Sequence, residues 1–488
     1  MFASPTRTVA TRDPPSRAAR RHLVIAVGAL LAAFGASACG RTPALSSGPR
    51  VGRQPATQLL PVFTQSVNND IDILFLIDNS MSMKEEQDNL RRNFPVFTRV
   101  LKDLPQGLPN VHIAVVSSDL GSGRSNDVPG CAAEGDRGRF QNVPRGACTA
   151  PRGSFIRAVG NQRNFDGDID QAFSCIAALG TSGCGFEHQL QSLRVALDPQ
   201  LMPDENAGFL REHAVLAIVL LTDEDDCSAP VGTGLFAPAD TLSSDVLGPL
   251  SSFRCNEFGH LCDGKRVSRQ AAANLQNCRS AEDGRLTKIE ELVEFFKTLK
   301  ADPNDVMVAA VAGPPTPYSV QLVRQPGRRG VDELQAQVTP SCQSANGTAD
   351  PAVRIRDFVD AFGANGSLHS ICADDFTPVM KGIGEEVARR ASLECLAAPI
   401  ADVDPDVAGV QARCEVFDET QYQGATLREL IPACSEAAPP CWRIQPSAKC
   451  AVSGIQMVVD RGGAAPAAGT RINVICETCE APSDVRCR

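Results

Sequence analysis

Seven residues, Ile71 to Ile77, are mostly β-branched or large and apolar, and they run straight into Asp78, Ser80 and Ser82. An apolar run closed by polar residues fits a strand buried on both faces of a parallel sheet. In open α/β sheets, ligands bind outside the carboxyl ends of such strands. One carboxylate and two hydroxyls at alternate positions are hard oxygen donors, the set that Mg²⁺ prefers.

The same device recurs along the chain. Ala214–Leu221 is fully apolar and ends in Thr222-Asp-Glu-Asp-Asp226; Val111–Val116 and Val306–Val311 are shorter runs of the same kind. Between them lie helical periods. Leu90, Phe94, Phe97, Leu101 and Leu104 mark a helix over Lys84–Leu104, with a kink expected at Pro95. Others run from Phe186 to Leu197, Leu286 to Leu299, Ala352 to Phe362 and Asp375 to Ala391, with a short strand near Ser367–Cys372. Apolar strands alternating with amphipathic helices predict an α/β fold built on a doubly wound, mostly parallel sheet.

Two Cys-bearing stretches interrupt this pattern, about 118–164 and 227–283. Bridges Cys131–Cys148, Cys175–Cys184 and Cys342–Cys372 are expected from proximity, whereas Cys227, Cys255, Cys262 and Cys278 allow three pairings. Asp166-Gly-Asp-Ile-Asp170 lacks the later Gly and Glu of an EF-hand loop, so it reads as a helix start capped by Asp. Glu224, Asp225 and Asp226 read as a solvated acidic turn, and Glu187-His188 as a helix surface pair. The stretch 395–488 holds eight Cys and the one Trp, and reads as a small disulfide-held β-rich module.

The first 38 residues read as a signal peptide: five Arg, an apolar run from Leu23 to Phe34, then small residues before Cys39. The cleavage site resembles a bacterial lipobox with Ala36 where Leu is usual, which implies lipid on Cys39 and a membrane anchor. Residues 39–68, rich in Pro, Ser, Thr and Gly, read as a flexible tether. Without Cys39, 18 of the 19 Cys remain, an even number at a density that belongs to an oxidising compartment. The expectation is an exported lipoprotein, periplasmic or at the cell surface. Beyond residue 38 the chain has 42 basic and 56 acidic side chains. With no run of Lys and Arg, nucleic acid is excluded as a partner class.

Asp78-Asn-Ser-Met-Ser82 and Leu221-Thr-Asp223 resemble, in order and each after an apolar strand, the two Asp-bearing motifs of the von Willebrand factor type A family. The resemblance covers roughly residues 69–394. It implies a metal-ion-dependent adhesion site. Ser80 and Ser82 would hold a divalent ion directly, with Asp78 and Asp223 close by through coordinated waters, and a middle-loop Thr would complete the set. Thr181 is the candidate there, Ser182 the next, and an absent ligand the third case. Mg²⁺ is the expected ion, with Ca²⁺ or Mn²⁺ as alternatives. Such an under-neutralised ion keeps a position open for an Asp or Glu of a protein partner, so recognition rather than catalysis is expected. The competing readings are a metal-independent disulfide-stabilised scaffold and an exported hydrolase, for which no nucleophile–base pattern is visible.

Overall fold

The computed structural model describes residues 62–478 apart from 105–106, 124–127, 129, 231–232, 238–241, 243, 284, 327–331, 392–394, 397, 423–424, 448–449, 451–452, 463–465 and 468–469. The signal segment, Cys39 and most of the expected tether lie outside these residues.

In chain order, β1 (Val62–Asn68) and β2 (Asp70–Ile77) precede α1 (Lys84–Lys102), β3 (Asn110–Ser117), β4 (Ile156–Val159) and β5 (Gln162–Arg163). Then come α2 (Ile169–Ile176), α3 (Gln189–Leu197) and β6 (Val215–Leu221). A segment with α4 (Phe253–Gly259), β7 (His260–Cys262), β8 (Lys265–Arg266), β9 (Ala273–Leu275) and β10 (Cys278–Ser280) follows. Next are α5 (Ile289–Thr298) and β11 (Val306–Ala312), then two hairpins, β12 (Tyr318–Pro326) with β13 (Asp332–Thr339) and β14 (Cys342–Ser344) with β15 (Gly347–Ala349). The domain closes with α6 (Val353–Asp360), β16 (Gly366–Ser370) and α7 (Thr377–Ala391).

The central sheet has seven strands in the order β16-β11-β6-β2-β3-β4-β5. The first five are parallel and β4 and β5 are antiparallel. Successive side chains of a strand point to opposite faces, and β2 shows the consequence. Ile73, Phe75 and Ile77 join one core with Phe94, Phe97, Phe173 and Ile383 from α1, α2 and α7. Leu74 and Leu76 join the other with Leu190, Leu193, Phe296 and Phe358 from α3, α5 and α6. The expected double winding is therefore present. Asp72, the one charge inside the apolar run, is fully buried and held by Arg211 at 2.8 Å, with the Lys300 ammonium 3.7 Å away.

Several expectations need correction. The first interruption is not wholly irregular, because β4 and β5 extend the sheet within it. The hairpins over 318–349 are unexpected, although Tyr318, Val320 and Leu322 in one strand, and Leu334, Ala336 and Val338 in the next, alternate with polar residues. Cys131 pairs with Cys184 and Cys148 with Cys175, so both expected local bridges are wrong. Each observed bridge instead ties the insert to a distant element. Cys342–Cys372 is as expected, and the four-Cys set resolves as Cys227–Cys255 and Cys262–Cys278. Eight bridges among the described residues place assembly of this fold in an oxidising compartment.

The module is discontinuous. Strands β17 (Cys414–Tyr422), β18 (Ala425–Ile431), β19 (Cys441–Pro446), β20 (Ile455–Asp460) and β21 (Thr470–Glu477) form a β-rich unit held by three bridges. Its main sheet has the order β1-β21-β17-β18. So 62–68, expected as tether, is a strand of this module, paired antiparallel from Val62–Glu477 to Asn68–Arg471. Only Asn69 separates it from β2. The strand is illegible in the sequence because its partner lies some 400 residues later. Among the described residues no helix is long and apolar enough to cross a membrane.

Candidate metal-ion site

The three insertions follow β3, β6 and β11, so all leave the sheet at its carboxyl edge. Asp78 sits at the centre of that edge, where its N–H donates to the Leu221 carbonyl of β6 at 2.9 Å. Its carboxylate is fully buried. Oδ1 accepts from the Ser80 N–H at 2.8 Å and the Ser118 hydroxyl at 3.2 Å, and Oδ2 from the Thr222 hydroxyl at 2.6 Å. Asp78 thereby gathers the ends of β2, β3 and β6.

Ser80 and Ser82 bring their hydroxyls to 3.3 Å of each other, and Ser82 lies near enough to Asp223 to offset a little of its upward shift. Asp223 is 5% exposed and its Oδ1 has no partner among the described residues. Four of the five expected residues, Asp78, Ser80, Ser82 and Asp223, therefore converge. The fifth is Thr181. It is half-buried, shares no hydrogen bond with the four among the described residues, and Ser182 is exposed.

The middle loop is nonetheless locked onto the site. Gln87 of α1 donates to the carbonyls of Asp78 and Gly180 and accepts from the Gly180 N–H at 3.1 Å. The Gly183 N–H donates to the Asn79 carbonyl at 2.8 Å. A Cβ on Gly183 would lie 2.3 Å from Asn79 Oδ1, so a larger residue there would push the Asn79 amide aside. The loop's residue that faces the acidic centre is Glu187, 1% exposed and lining one small cavity with Glu224. Its reading as a surface pair with His188 is overturned: both are buried.

Asp225 and Asp226 are likewise buried, which corrects the solvated-turn reading. Asp225 accepts from His260 at 2.7 Å and from the N–H groups of Val353, Arg354 and Ile355. Asp226 takes two bonds from the buried Arg354 guanidinium, at 3.0 and 3.1 Å, and caps α3 through the Leu190 N–H.

Asp223 and Glu224 have no such counter-charge. No Lys, Arg or His ion-pairs with Asp78, Glu86, Glu187, Asp223, Glu224 or Asp350 among the described residues. Burial first, and then neighbouring carboxylates, push Asp223 and Glu224 each up to about 8. Burial raises Asp78 as well, against its hydrogen bonds, and lifts Glu86 and Asp350 to about 7. A crevice with this much uncompensated negative charge favours a cation. Among the described residues no three His, Cys, Asp or Glu are grouped as a metal centre. An ion here must therefore draw on hydroxyls, and Ser80 and Ser82 supply them.

The site opens into a groove of about 380 Å³. Ser82, Asp223 and Glu224 line one side, and Gln325, Gln335 and Gln337 of the β12–β13 hairpin line the other. Met81, between the two serines, is 86% exposed.

No protein family matches the chain by sequence, and no curated protein does. Among solved structures it is similar to a von Willebrand factor type A protein from Catenulispora acidiphila, at 11% identity and a TM-score of 0.28, covering 88% of this chain and 67% of that one. It is also similar to proximal thread matrix protein 1 of the mussel byssus, at 11% identity and a TM-score of 0.28, covering 68% of this chain and 48% of that one. A third is the pilus adhesin of Streptococcus pneumoniae, at 8% identity and a TM-score of 0.23, covering 86% and 58%. The chain thus spans about half to two thirds of these proteins, and at such scores they carry no argument about its chemistry. Sheet order and the helices on both faces make residues 70–391 an α/β domain with a doubly wound, mostly parallel sheet.

Proposed function

We propose that this exported chain is a protein-binding component of the cell envelope that recognises its partner through a divalent cation. Ser80 and Ser82 hold the ion through their hydroxyls, and Asp78 and Asp223 stand behind it and hold its waters. The observation that carries this reading is Asp223: buried, lining one groove with Ser82, with one carboxylate oxygen unpartnered and no basic group paired to it among the described residues. Neutral hydroxyls leave the ion under-neutralised and one position open, which a partner's Asp or Glu fills. Mg²⁺ suits this solvent-facing position because it retains water readily. The exposed Met81 and the amide side chains along the adjoining groove support the reading, since both leave protein surface open beside the serines. Binding of this kind needs no nucleophile or proton shuttle. The N-terminal cysteine, Cys39, would carry the lipid that keeps the domain at the membrane.

Titration calorimetry with Mg²⁺ tests the reading. Binding is expected for the wild type and its loss for Asp78→Ala. Absence of divalent binding in the wild type, or binding unchanged by Asp78→Ala, would overturn it.

A further inference from the structure

The hairpin beside the serines leaves one side of a strand uncovered. Strands β13, β12 and β9 form a separate sheet in that order, so among the described residues no strand pairs with the outer side of β13. Its side chains divide by face. Ala336 and Val338 turn to a small core with Phe253, Tyr318 and Val320. Gln335 and Gln337 lie on the other face, and Gln337 is exposed. Yet all four consecutive residues, Gln335 to Val338, border the groove that reaches Ser82 and Asp223. A groove that meets residues of both faces follows the edge of the strand. Ser252 and Asn256, just before and within α4, border it too.

An edge strand offers a row of backbone donors and acceptors to any extended chain laid beside it, and natural edges are commonly guarded by charge or proline. Gln335 to Val338 carries neither. The lining suits the same occupant. The amides of Gln325, Gln335, Gln337 and Asn256 each bring donors and an acceptor, which the peptide groups of an added strand can use. Among the described residues no Lys or Arg lines the groove, and Phe253, its one aromatic residue, is buried. A polyanion therefore finds no match there, and a sugar ring finds no open aromatic face. The charges of the groove are Asp223, Glu224 and Asp350. An incoming carboxylate is repelled by them unless a cation stands between.

We propose that an extended, otherwise uncharged segment of a partner protein adds as a strand along β13 and sets one Asp or Glu side chain at the ion held by Ser80 and Ser82. The carboxylate contact rests on the function proposed above, whereas the strand contact rests on β13 alone. Backbone pairing supplies affinity, and the ion selects the acidic residue.

Selection from displayed peptides of about ten residues, random except for one central Asp, tests it on the full-length chain in Mg²⁺. Peptides should be enriched. In the strongest binder, backbone N-methylation should abolish binding at every second residue and spare it in between, because alternate N–H groups of an added strand point at its neighbour. Gln337→Trp, at an exposed position on the groove, should weaken that peptide about tenfold or more and leave Mg²⁺ binding unchanged. Gln325→Trp, on the other strand, should do the same, and it keeps the test valid should Gln337→Trp fail to fold. If Mg²⁺ binds but no peptide is enriched, or the selected peptide lacks the alternation or ignores both Trp variants, the added strand is refuted and the proposed function stands. Binding to a glycan array in place of peptides refutes it equally. A peptide that shows the alternation and the Trp effects but binds equally well in EDTA supports the strand on β13 and overturns the contact with the ion. No binding of Mg²⁺ or of any peptide refutes both.

Discussion

Asp223→Asn should stabilise the metal-free protein while abolishing its response to cations. Asp223 is buried, and burial with the nearby Asp78 and Glu224 raises it from 3.8 to about 8. A raised carboxyl keeps its proton in the folded state where the unfolded chain has released it. Between about pH 4 and pH 8 the folded state therefore binds more protons, and stability falls as pH rises through that window. Below it the group costs nothing, and above it the full penalty applies. A tenfold change in proton affinity corresponds to about 1.4 kcal/mol, so at pH 7 the penalty approaches about 4 kcal/mol. Asp78 and Glu224 share in it and relax together, which puts the gain from one Asn on the order of 2–4 kcal/mol. In EDTA near neutral pH, calorimetric melting should rise by a few degrees, and the difference should shrink toward about pH 4. Saturating Mg²⁺ should close most of that gap, because an ion at about 100 times its Kd adds about 2.7 kcal/mol to the wild type only. A variant equal to or less stable than the wild type in EDTA across this range would refute the reasoning that Asp223 is an uncompensated buried charge.

The remaining predictions concern the frame around the site. Arg354→Met should cost about 3–5 kcal/mol in chemical denaturation, since it strands the fully buried Asp226 without its cation; a loss below about 1 kcal/mol would contradict the pairing. Mass spectrometry of a non-reduced digest should recover Cys131 linked to Cys184 and Cys148 linked to Cys175. A Cys131–Cys148 peptide would instead favour the local pairing and detach the first insert from the middle loop.

Much of this fold is written in single stretches of sequence. The five parallel strands are apolar runs or short β-rich segments, and helices such as α1 and α5 show their buried face at three- and four-residue spacing. The illegible parts depend on remote partners. Strand β1 looks like tether until β21 is placed against it. The β12–β13 hairpin has an apolar alternation, Leu334, Ala336 and Val338 in its second strand, but of these only Val338 is buried, so it stands out far less than the continuous apolar runs. At the site, Asp78, Ser80, Ser82 and Asp223 are legible because each is at or just beyond a strand end. The middle loop is not, because its fit depends on Gly183 lying against Asn79 and on Gln87 reaching across from α1. Those contacts carry the chain past Thr181 and bring Glu187 to the acidic centre.

The run Asp223-Glu224-Asp225-Asp226 shows why acidity alone is a poor guide. Four consecutive carboxylates read as a solvated turn, yet the fold assigns them in two pairs. Asp225 neutralises the N-terminal end of α6 and binds His260, and Asp226 binds Arg354 and the first turn of α3. These two hold the helices and the second insert in place, and each has its counter-charge within hydrogen-bond reach. Asp223 and Glu224, on the same rigid stretch, have none. A folding chain can satisfy a buried carboxylate with N–H groups and cations, as it does twice here. Leaving the adjacent two unsatisfied, at the carboxyl edge of the sheet and against a serine hydroxyl, is costly unless another charge arrives. The well-paired half of the run fixes the position of the unpaired half, and that unmatched charge is the ground on which a cation is proposed there.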